Sequence, residues 1–239
     1  MSVSSYEEPT ADELLRVPET FERQRWHTDL YAPYSPKTKR RVYAYGRRGR
    51  ALFLRLEAEP LVRRFNISVR EVPLVVGDRV KSIAPAAISL DHENQVSIHT
   101  FSDVVEEPMD PAHPLPASPW NGWCQTRGWR LIEWTPAALL GPEIELENWE
   151  ILLRYLSVPG RVPNRPLEDA LRLTLAADIE MTWNRLAKQF PREKPETVHE
   201  CIAALILERR VHADIAARTV SLLTRLSISP LNAAEPLRA

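Results

Sequence analysis

The 239 residues have room for one large or two modest domains, and their 44% apolar and 26% charged content excludes a disordered or fibrous chain. A net charge of −1 gives no global argument for nucleic-acid binding, and no apolar run is long enough to span a membrane. Seven Gly against 21 Pro point to stiff connections, and Cys124 and Cys201, isolated and without metal-type spacing, read as buried thiols of a reducing compartment. No charged-then-apolar leader opens the sequence, so the expected address is cytoplasmic.

Residues 1–20 are polar and acidic, and the expectation is either a frayed segment or one short helix over 11–17. Residues 21–36, with Phe21, Trp26, Tyr31 and Tyr34 between prolines, read as an extended segment. From 37 to 50 there are seven cations and no acid: Lys37, Lys39, Arg40, Arg41, Arg47, Arg48 and Arg50. Tyr43 and Tyr45 lie among them, and 41–45 alternates as a strand does. One reading is a DNA-binding tract, with cations on phosphates and tyrosines available for stacking. The other is a solvated charged edge.

A helix follows, with Leu52, Phe53, Leu54, Leu56, Leu61 and Phe65 as its apolar surface and a bend at Glu59-Pro60. Three β-like runs come next, 69–76, 83–90 and 96–101. Gly77-Asp78 is the first turn signal and Asp91 to Asn94 the second. Five prolines between 108 and 119 predict a surface connector. Five of the seven Trp lie between 120 and 149 and are expected to pack on the sheet. Residues 130–134 read as a strand, Thr135-Pro136 as a helix start, and 147–156 as a helix.

Prolines and a glycine in 157–166 mark a boundary. Beyond it Leu167, Ala170, Leu171, Leu175, Ile179, Trp183 and Leu186 recur at helical steps, closed by Phe190-Pro191. Pro195 starts a second helix with Val198, Ile202, Leu205 and Ile206 on one face. A short β-like run at 210–215 and a last apolar segment at 221–226 complete a small winged-helix-like pattern. A DNA-reading helix needs cations, but 195–209 carries Glu196, Glu200 and Glu208. Protein docking is therefore expected of this domain.

The order of phrases in 30–225 resembles TnsA-type transposon endonuclease subunits, of the PD-(D/E)xK nuclease superfamily. It is carried by Leu56-Glu-Ala-Glu-Pro-Leu-Val62, Glu71-Val-Pro73, the runs after them, Gly128-Trp-Arg-Leu-Ile-Glu133 and 147–155. The resemblance implies an α+β or α/β, restriction-endonuclease-like mixed sheet flanked by helices at 37–157. A 1–36 extension precedes it, and a 158–166 linker, a winged-helix-like domain at 167–228 and a 229–239 tail follow. It also implies partners: DNA, a transposase and a regulatory ATPase, with no membrane.

The family's metal-binding acids and lysine fall on Ala86, Ser97 and His99, and no acid occupies 49–51, where the helix glutamate belongs. A methyl, a hydroxyl and an imidazole do not replace anionic Mg²⁺ ligands. The expectation is a pseudo-nuclease without catalytic residues, metal or cofactor, serving as a scaffold or adaptor in transposition or a mobile-element complex. Two alternatives stay open. One is an active Mg²⁺-dependent endonuclease using acids such as Glu57, Glu71, Asp78, Asp91 or Glu93. The other is a protein-interaction module with no nucleic-acid role. Phosphate-loop, nucleophile-elbow and zinc signatures are missing, and the scattered histidines, His92 and His99 included, read as surface residues.

Overall fold

The computed structural model describes residues 9–16, 29–76, 79–102, 118–178 and 180–229. The predicted turn at Gly77-Asp78, Phe21, Trp26, Ile179, most of the proline-rich connector and the tail from 230 lie outside these residues. The elements form a mixed α+β fold. Helix α1 (Ala11–Leu15) precedes four two-residue strands, β1 (Leu30–Tyr31), β2 (Tyr34–Ser35), β3 (Arg40–Arg41) and β4 (Ala44–Tyr45). Helix α2 (Gly46–Ala58) leads into strands β5 (Val62–Asn66), β6 (Val72–Val76), β7 (Arg79–Ile83), β8 (Ala87–Asp91) and β9 (Val96–Phe101). Helix α3 (Trp120–Gln125), strand β10 (Arg130–Trp134) and helices α4 (Pro136–Leu140), α5 (Glu143–Leu156) and α6 (Arg165–Ala176) follow. Strand β11 (Met181–Thr182), helices α7 (Trp183–Lys188) and α8 (Pro195–Leu207) and strands β12 (Val211–Ala213) and β13 (Arg225–Ile228) complete the chain.

Contacts divide these elements into two compact units. The first takes the described parts of Met1–Ala32, Val42–Leu56 and Leu61–Leu139; the second takes Pro33–Arg41, Glu57–Pro60 and the described parts of Leu140–Ala239. Helix α5 therefore belongs with the C-terminal elements, and the proline-rich 158–166 lies inside the second unit.

The first unit is built on a four-stranded sheet of order β10-β9-β8-β5. Strands β5, β8 and β9 are mutually antiparallel, and β10 runs parallel to β9 after the α3 crossover. One face carries Ile88, Leu90, Val96 and Ile98, which pack with Leu14 and Leu15 of α1 and with Trp120 and Cys124 of α3. Buried Asn66 fixes α1 there by donating to the Leu14 carbonyl at 2.8 Å. On the opposite face Phe65 stands across from Ser89, and Phe53 of α2 meets Phe65 edge-on at 6.0 Å. Helix α2 thus covers the face that carries Ser89, Ser97 and His99.

Several expectations change here. Leu61 and Phe65 are not helical, because Pro60 stops α2 and the chain then enters β5, a strand that the periodicity had merged into the helix. Leu61 is exposed, whereas Phe65 is core. The run 83–90 is interrupted at Ala84-Pro85-Ala86, so β7 pairs with β6 while β8 joins the main sheet. The predicted strand 41–45 is two fragments around buried Val42: β3 pairs with β2, and β4 with β1. Gly46, at φ +64°, turns β4 directly into α2, which starts earlier than its leucines suggest.

In the second unit α6, β11, α7, α8, β12 and β13 follow one another around a three-stranded antiparallel sheet of order β11-β13-β12. The helical periodicity read through 167–186 is broken by β11, after which the Thr182 hydroxyl caps α7 by accepting from the Arg185 amide. Asn164 caps α6 in the same way. Helix α8 is buried on every side from Cys201 to Leu207, with Val198 also inside and the rest of its N-terminal half exposed or half-buried. It packs against α5, α6, α7 and β12.

Candidate functional site

Of the positions that the resemblance matches to nuclease ligands, Ser97 and His99 lie on β9, and Ala86 immediately precedes β8. Strand alternation puts Ala87 across from His99 and Ser89 across from Ser97, all on the face toward α2. His99 is 2% exposed, so the surface position expected of it is overturned: the covered sheet face buries it. The Trp134 indole N–H donates to His99 Nδ1 at 3.0 Å, and Ser89 Oγ lies 2.8 Å from His99 Nε2. An indole N–H can only donate, so Nδ1 must accept. The neutral imidazole then carries its proton on Nε2, which donates to Ser89. Burial lowers His99 to about 4, which keeps the ring neutral near pH 7. Both ring nitrogens are committed, and the Trp134 ring stacks 6.2 Å away.

Such a face does not fit Mg²⁺, which prefers anionic oxygens in near-octahedral array. Ala86 uses its backbone N–H on the His99 carbonyl and brings only a methyl group. Among the described residues, no three His, Cys, Asp or Glu groups stand close enough to hold a metal ion. Asp91 accepts from the Glu93 and Gln95 amides and so shapes the β8–β9 turn. Glu57 is buried in a different cluster, accepting from the Ser35 hydroxyl. Glu71 and Glu93 are exposed, and Asp78 lies outside the described residues.

The basic tract falls into two parts. Lys37, Lys39, Arg40 and Arg41 belong to the second unit, around the β2–β3 hairpin, whose turn residue Lys39 has φ +55°. Arg47, Arg48 and Arg50 open α2 in the first unit. Lys37 turns inward: its ammonium donates to the Glu59 carbonyl beside Glu57. Burial lowers Lys37 to about 8 and raises Glu57 to about 7. Lys39, Arg41, Arg47, Arg48 and Arg50 are exposed, and Arg40 is half-buried. Arg48 lies over the Phe101 ring at 5.9 Å, and Arg50 over Tyr31 at 5.7 Å. Since Phe101, His99 and Ser97 alternate along β9, Arg48 marks the end of the same face.

The second unit contributes a pinned loop. Buried Asn148 of α5 donates to the carbonyls of Ile215 (2.8 Å) and Arg218 (2.6 Å) and accepts from the Val220 amide (2.8 Å). These bonds fix the connection between β12 and β13. Sequence reasoning missed Ser89, Trp134 and Asn148, whose polar partners are many residues away. The chain matches no protein-family model, and a search of curated proteins returns no match.

Proposed function

We propose that this chain is a non-catalytic relative of TnsA-type endonuclease subunits, a DNA- and protein-binding scaffold in a transposition or mobile-element complex. One observation carries the reading. The order α2, β5, β8, β9, α3, β10, with β10 parallel to β9, accommodates a restriction-endonuclease-like core. The positions where that core keeps its acids and lysine instead border a closed neutral network of Ser89, His99 and Trp134. Such a network favours a fold kept for binding over one kept for metal-dependent hydrolysis.

The DNA contact is assigned to the exposed cations of the basic tract, with Arg48 at the rim of that sheet face. The C-terminal elements follow the order of a winged-helix module. Their third helix, α8, is enclosed from Cys201 to Leu207, and its more open N-terminal turns carry exposed Glu196 and half-buried Glu200, which disfavour a phosphate-lined groove. That favours protein docking for this module, with the transposase or the regulatory ATPase of a transposon as the partner class.

The test is duplex binding as a function of salt, together with cleavage assays. Wild-type affinity should fall steeply with salt, and Arg40, Arg41, Arg47 and Arg48 replaced together by Ala should flatten the log–log slope by about 0.9 per lost contact. Supercoiled DNA should stay intact with Mg²⁺ or Mn²⁺. An unchanged slope would remove the DNA role, and chelator-sensitive cleavage would replace the scaffold with an enzyme.

A further inference from the structure

Among the described residues, strand β7 is paired on one edge alone. Residues 79–82 are all exposed, although they lie in a regular strand. The only ladder is with β6, so among the described residues the outer edge of β7 carries no strand. The register pairs Val76 with Arg79, Val75 with Val80, and Leu74 with Lys81. Alternation then assigns the two faces. Val72, Leu74, Val76 and Ile83 meet the core on one, with Arg79 and Lys81 exposed at its rim. The other presents Val75 and Val80, each 70% exposed.

An open edge invites a strand, and the cations decide which one. A second copy is disfavoured, because antiparallel self-pairing centred on Lys81 opposes two ammonium groups. Duplex DNA offers phosphates to the cations but nothing to the backbone edge or the valines. An extended acidic peptide satisfies all three features. Its backbone continues the ladder, its carboxylates meet Lys81, and its β-branched side chains cover Val80.

We propose that β7 is a strand-addition site for an acidic, extended segment of a protein partner in which carboxylate and β-branched side chains alternate. The proposal does not depend on the DNA reading. Its test uses the full chain and labelled eight-residue peptides of alternating Glu and Val or alternating Lys and Val. The Glu–Val peptide should bind more tightly and slow amide exchange within 79–83. Lys81→Glu, which should leave the far-ultraviolet circular dichroism unchanged, should weaken that peptide roughly fivefold to tenfold and strengthen the Lys–Val peptide. Equal binding of the two peptides, or protection elsewhere, would overturn the proposal. So would protection of 79–83 by duplex DNA, or dimerisation through this strand without peptide.

Discussion

Each unit buries a polar cluster, and the two clusters are built on opposite principles. In the sheet unit, Ser89, His99 and Trp134 are all neutral, and each donor named above meets an acceptor. In the C-terminal unit, Glu168 is 0% exposed and ionic partners surround it. Arg165 Nη1 lies 2.6 Å away, Arg210 Nη1 3.3 Å and Arg161 Nη2 3.9 Å. Those arginines reach further acids: Arg161 to Glu200, Arg165 to Glu208 at 2.8 Å, and Arg210 to Asp169 at 2.7 Å. A buried charge is tolerable where the chain itself supplies the countercharge. Neutral groups that satisfy one another's donors and acceptors, as Ser89, His99 and Trp134 do, need no countercharge at all.

The comparison can be broken at its charged end first. Glu168→Ala leaves three arginines facing a cavity and should cost about 3–5 kcal/mol in urea unfolding. A loss under about 1 kcal/mol would mean that water, not the arginines, carries the cluster. At the neutral end, His99→Ala strands the Trp134 N–H and the Ser89 hydroxyl and opens a void. The expected cost is about 2–4 kcal/mol, with a changed near-ultraviolet tryptophan signal. An equal or larger loss than for Glu168→Ala would reverse the ranking.

Protonation sharpens the contrast at smaller amplitude. The folded state holds His99 at about 4, below its ordinary 6.5, so the unfolded chain takes up the proton first. That contribution is complete above pH 6.5 and lost as pH falls toward 4. Glu57 has the opposite sign: held near 7 against an ordinary 4.5, it favours the folded state at low pH and loses that contribution as pH rises from 4.5 through 7. The two slopes oppose each other between 4.5 and 6.5. Glu57→Gln should therefore steepen the acid-side loss of stability, and His99→Phe should shallow it, as read from urea midpoints across that range. Parallel profiles in the two variants would refute both assignments.

Local chemistry settled much of this fold in advance. The caps and prolines at Thr135-Pro136 and Pro195, and the β-like runs 96–101 and 130–134, mark their elements because helix starts and strand faces depend on a few neighbouring residues. The neutral residue types at Ala86, Ser97 and His99 are also plain in the sequence, as is the concentration of cations in 37–50. What periodicity does not encode is which segment lies across from which. Only the sheet register brings Ser89 to His99, and only the parallel β10 brings Trp134, 35 residues away, to the same ring. Only packing separates inward Lys37 from exposed Lys39, since one residue's burial depends on what the rest of the chain places over it. The acids of α8 are plain in the sequence. Its enclosure from Cys201 to Leu207 is not, because that is decided by helices whose contacts are long-range and whose cost is met by tertiary burial rather than by local propensity.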